Sequence, residues 1–150
     1  MKMSELNNLL DKKNQIDEFI MGVRKATGDA INDMLPKKLH DYGYRVLNLN
    51  EFLLTIYCKE NDVMEQAILV RHGFGKDDGV FRMWIDKPQY FSKINLLMDT
   101  DAMVYYEVLT SILTDKKFQT ELAEKLKNFG LRMIEFKNDL NVVNAEIEKL

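Results

Sequence analysis

Residues 122–150 read LAEKLKNFGLRMIEFKNDLNVVNAEIEKL. Leu122, Leu126, Phe129, Met133, Phe136, Leu140, Val143, Ile147 and Leu150 follow one another at alternating steps of four and three. A period of 3.5 keeps one apolar seam on one side of a helix, which is the condition for coiled-coil pairing. Glu121, Glu124, Lys125, Lys127, Arg132, Glu135, Lys137, Asp139, Glu146 and Lys149 lie between these positions, a mixed-sign set that suits a solvated face. Thr114 or Asp115 offers an N-cap, so a heptad helix is expected over 115–150. Gly130 is its one interior defect, worth about 1 kcal/mol relative to Ala. It is expected to bend the helix or admit a close neighbour, not to break it.

The N-terminal segment repeats the pattern less cleanly. Leu6, Leu9, Lys13, Ile16, Ile20, Val23, Thr27, Ala30 and Met34 lie on the same grid, with Leu10, Phe19, Met21 and Ile31 beside it. A widened apolar face predicts a helix over 4–35 that touches more than one neighbour. Gly22 and Gly28 weaken its middle, and Asp29 offers a cap for a separate short helix ending near Pro36. At 1.5 Å per residue the two terminal helices would span about 46 and 52 Å. Similar length and period make them partners for each other or for copies of themselves. The seam residues of most interest are Ile16, Ile20 and Val23, together with Leu122 through Ile147.

Between the helices the period drops to two. Residues 44–49 (YRVLNL), 51–58 (EFLLTIYC), 63–72 (VMEQAILVRH) and 80–85 (VFRMWI) are rich in β-branched and aromatic side chains. They predict an antiparallel meander of three to four strands over 44–86. A short helix over 51–58 capped by Asn50 is the competing expectation. Residues 90–113 are expected to form a helical segment, ambiguous in pattern over 90–98 and clearer over 101–113 behind a Thr100 or Asp101 cap. The whole reads as one α+β domain over 1–150: a small sheet covered by helices, with the terminal helices paired.

Composition narrows the function. The chain has 150 residues, a formal charge of −3 and a sequence pI near 5.5, which argue against binding nucleic acid through bulk charge. One cysteine, Cys58, excludes an intrachain disulfide and suits a reducing cytoplasm. The polar N-terminal stretch lacks the apolar core of a signal peptide, and no apolar run approaches the roughly 20 residues of a bilayer span. A soluble cytoplasmic protein without membrane contact is expected.

No constellation of side chains announces chemistry. Cys58, His40 and His72 are too scattered for a zinc site, and Asp77-Asp78 and Asp99/Asp101 read as turn and cap residues. No nucleophile elbow occurs, so no catalytic residue, metal or cofactor is expected. The most suggestive segment is the glycine-rich stretch 71–79, in which Arg71, His72, Gly73, Gly75 and Lys76 could present backbone N–H groups and positive charge to an anion. The plainer reading is a hairpin loop, with Gly75 and Gly79 supplying positive φ. Phe81, Trp84, Tyr90 and Phe91 interleave with Arg82, Lys87 and Lys93 as a stacking platform would, yet the chain has no basic run. In architecture alone, the order long helix, small sheet, long helix resembles chaperone and tether proteins of the prefoldin sort. Fold does not fix function.

Two expectations follow. The first is a non-enzymatic adaptor, small chaperone or regulatory inhibitor that self-associates through its heptad helices and binds another protein. The second is a nucleotide-like anion-binding protein or enzyme that uses the 71–79 loop.

Overall fold

A computed structural model describes residues 2–50, 53–60, 64–74, 81–86 and 100–150. The elements run α1 (Lys2–Met34), α2 (Lys37–Tyr42), β1 (Tyr44–Leu49), β2 (Leu53–Glu60), β3 (Met64–Phe74), β4 (Phe81–Asp86), α3 (Thr100–Thr114) and α4 (Lys116–Glu148). The fold is α+β, with long helices at both ends and an antiparallel sheet between them.

The helix α1 continues through Gly22 and Gly28, so Asp29 does not start a new helix. Two interior glycines cost about 1 kcal/mol each, and burying the apolar stripe along the same helix outweighs them. The break comes at Pro36, which cannot donate to the preceding turn and disfavours helical backbone at Leu35. A second, short helix follows, with His40 in its last turn ahead of Gly43, where the sequence also allows a helix C-terminus. It ends at Gly43, whose φ of 111° is open to glycine and strained for other residues. The Gly43 N–H donates to the carbonyls of Leu39 and His40, closing the helix and turning the chain into β1.

The strands pair in chain order, each antiparallel to the next. Asn50 decides the first turn. Its N–H donates to the Leu53 carbonyl at 2.9 Å, and its Oδ1 accepts the Leu53 N–H at 2.8 Å. The chemistry that would have capped a helix over 51–58 instead closes a hairpin turn. The second strand therefore starts at Leu53, and Glu51 and Phe52 lie outside the described residues. Leu54, Ile56 and Val70 are fully buried on the sheet face that the helices cover.

At the C-terminal side Asp115 is the cap: its side chain accepts the Phe118 N–H at 3.1 Å, and α4 then runs unbroken through a buried Gly130. The expected helical segment 90–113 is described only from Thr100, its first part lying outside the described residues. One cluster joins Ile31, Leu39, Tyr44, Leu54, Leu109 and Leu122 with their neighbours. The core thus sits where the C-terminal half of α1, the sheet, α3 and the first half of α4 meet.

Candidate functional site

The helices α1 and α4 lie against each other. They run antiparallel: Glu5, Asn8 and Leu9 of α1 share one depression with Glu146, Lys149 and Leu150 at the other end of the chain. Midway, the rings of Phe19 and Phe136 stack with centroids 6.4 Å apart, and the Arg132 guanidinium lies 5.7 Å above the Phe136 ring. Each of the expected grid positions of α1 is buried or half-buried, Lys13 and Thr27 included, whereas the residues between them as far as Ala26 are exposed. Along α4, Leu122, Leu126, Phe129, Met133 and Val143 are buried, and Phe136, Leu140 and Ile147 are half-buried. Ile20, Val23 and Phe136 pack against the core cluster, and Ile16 is half-buried farther out.

On the opposite side of α4 a second stripe faces solvent. Leu131, Ile134 and Val142 are 45%, 44% and 59% exposed, and Asn138 and Ala145 complete the row. Steps of three, four, four and three place all five within one face of a 3.6-residue helix. No charge interrupts it.

A polar cleft opens on the other side of α1, between that helix and β1. The first strand is an edge strand, and α1 is fastened to it at two points. Asn32 Oδ1 accepts the Val46 N–H at 3.1 Å, and Arg24 Nε donates to the Leu49 carbonyl at 2.8 Å. Between these points β1 carries one residue more than β2 opposite it, for Val46 pairs with Ile56 and Asn48 with Thr55. Leu47 is the extra residue of this bulge, and its side chain is largely exposed. A Cβ at Gly28 would stand only 3.8 Å from Val46 Cγ1, so the bare glycine leaves the helix side of the cleft open. The resulting space is about 430 Å³, lined among others by Arg24, Lys25, Asp29 and Arg45.

The 71–79 stretch differs from its expected form. Arg71 and His72 belong to β3, as the strand expected over 63–72 has them, but the strand continues through Gly73 to Phe74, where a loop is expected. Arg71 pairs with Leu53 on one side and Trp84 on the other, and His72, Gly73 and Phe74 pair with Met83, Arg82 and Phe81. Ladder pairing engages backbone groups that an anion-binding nest would need. Gly75 and Lys76 lie outside the described residues, as do Asp77, Asp78, Tyr90 and Phe91. Among the described residues, no group of three or more His, Cys, Asp and Glu side chains is placed to hold a metal ion. No described helix is long and apolar enough to cross a membrane.

Sequence reasoning missed the cleft. Its cations are single residues on a helix and a strand, and the only hint was Arg24 and Lys25 beside the seam. Comparison with family models, with curated proteins and with solved structures finds no match for this chain.

Proposed function

We propose that the protein is a non-enzymatic interaction protein, an adaptor, small chaperone or regulatory inhibitor of the reducing cytoplasm, that self-associates through its long terminal helices. Within one chain the apolar seams of α1 and α4 engage each other as an antiparallel heptad pair, with Lys13 and Thr27 helping to set the register. Between chains the contact falls to the outer face of α4.

The observation that supports this most strongly is the stripe Leu131, Ile134, Asn138, Val142 and Ala145, exposed and free of charge. Its spacing is the same read in either direction from Asn138. Such a stripe is complementary to itself under a two-fold axis. Two copies laid antiparallel set Leu131 opposite Ala145 and Ile134 opposite Val142, with Asn138 meeting its own counterpart. Paired amides at that centre hydrogen-bond and disfavour slipped registers, as a single polar residue does in a coiled-coil seam. The same surface is available to a helix of another protein.

Size-exclusion chromatography with light scattering tests this. The wild type is expected at twice 17.6 kDa. Ile134→Glu and Val142→Glu are expected to halve the mass while the helical circular dichroism stays intact. Leu140→Glu acts differently, lowering the melting temperature, because Leu140 lies half-buried in the seam between α1 and α4. A wild type that stays at 17.6 kDa across a concentration series removes the self-association reading.

A further inference from the structure

The cleft between α1 and β1 gathers positive charge beyond the one arginine that fastens the helix to the strand. Arg24 is held by two neutral acceptors, the Leu49 carbonyl at 2.8 Å and Asn48 Oδ1 at 3.1 Å. Those bonds hold the guanidinium through acceptors that carry no charge themselves. Lys25 and Arg45 line the same space, and Asp29, one turn beyond Lys25, is the carboxylate among the lining residues. Among the described lining residues, three cations against one carboxylate make a formal +2 in a chain whose net charge is −3. Concentrated positive charge in a concave site with one pre-positioned arginine raises the local concentration of anions.

We infer that this cleft binds a small phosphate-bearing ligand of nucleotide size. The planar forks of Arg24 and Arg45 match phosphate oxygens in pairs, which a point charge such as Lys25 does not. A space of about 430 Å³ lies within the range of small-molecule sites. Exposed Leu47 offers an apolar surface beside the cations, so the ligand carries an apolar or planar part as well as its phosphate.

Two other occupants fit less well. A peptide added to the β1 edge would need outward-facing backbone groups, and the Val46 N–H and Leu49 carbonyl are already bonded to α1. A long nucleic acid would have to pass from this patch onto the surface of a net-negative chain.

The test is calorimetric titration with ATP and with inorganic pyrophosphate at about 0.15 M salt. A short single-stranded oligodeoxynucleotide forms a separate arm. Both small anions are expected to bind saturably, ATP more tightly. Arg45→Glu, which reverses a charge on an exposed side chain, is expected to weaken both by about tenfold or more. Gly28→Leu, which fills the helix side of the cleft with a good helix former, is expected to weaken ATP by a similar factor. Lys117→Glu, an equal charge change on the exposed start of α4, should leave affinity within about twofold. Absence of saturable binding overturns the inference, as does binding that survives both cleft variants. Binding of the oligonucleotide alone also overturns it, and assigns the patch to nucleic acid instead.

Discussion

Replacing Gly22 by alanine probes whether α1 is one continuous helix. Gly22 lies in the interior of a 33-residue helix, and a Cβ built there meets nothing within 4 Å. The substitution therefore adds no contact and no clash. What remains is backbone entropy: alanine has fewer unfolded conformations to lose, so the helical form gains about 0.8–1 kcal/mol. For a chain of this size that corresponds to a rise in melting temperature of about 2–4 °C. Gly28→Ala should gain at least as much, since its Cβ would also touch Val46 Cγ1 at 3.8 Å, ordinary van der Waals distance. Gly43→Ala should go the other way by about 1–2 kcal/mol, because its φ of 111° strains any residue with a side chain. The assay is thermal unfolding followed by far-ultraviolet circular dichroism, at one fixed protein concentration because association shifts the midpoint. A neutral or destabilising Gly22→Ala would refute the continuous helix, since no contact is present to explain it away.

Two further outcomes follow from burial and capping. Leu126→Ala removes a fully buried side chain from the core cluster and should cost about 2–5 kcal/mol in urea unfolding, whereas Leu131→Ala five residues on, at 45% exposure, should change stability by well under 1 kcal/mol while weakening self-association. Asp115→Ala loses the acceptor for the Phe118 N–H and should lower stability by about 0.5–2 kcal/mol; an unchanged midpoint would mean that water serves that donor equally well.

The parts of the molecule that could be read from residue order share one trait: their signal is local. The 4-3 spacing in 122–150 and its weaker copy near the N-terminus survive as α4 and α1 because helix period and apolar period coincide over many turns. Alternation in 44–49 and 51–58 survives as the paired strands β1 and β2, the second shifted to Leu53–Glu60, for the same reason at period two. Alternatives stay open where one residue type serves two structures. Asn50 can cap a helix or close a hairpin, and Asp29 after Gly28 resembles a cap although the helix passes through it. The reach of β3 to Phe74 was hidden because Gly73 looks like a turn residue until β4 is there to pair with it.

From the sequence by itself came the long helices, the strand segments and the stripe on each terminal helix. Tertiary structure alone decided what each stripe faces. Within the chain α4 lies against α1 with its seam residues buried or half-buried, and the row from Leu131 to Ala145 is left outside because it lies on the opposite side of a 3.6-residue helix. Likewise, Arg24 and Arg45 stand 21 residues apart in the chain and share a cleft because α1 crosses the edge of β1 and Leu47 bulges there. Periodicity along a chain records the geometry of one element. The meeting of two elements depends on the turns between them, and here those turns rest on Pro36 and on the positive φ of Gly43.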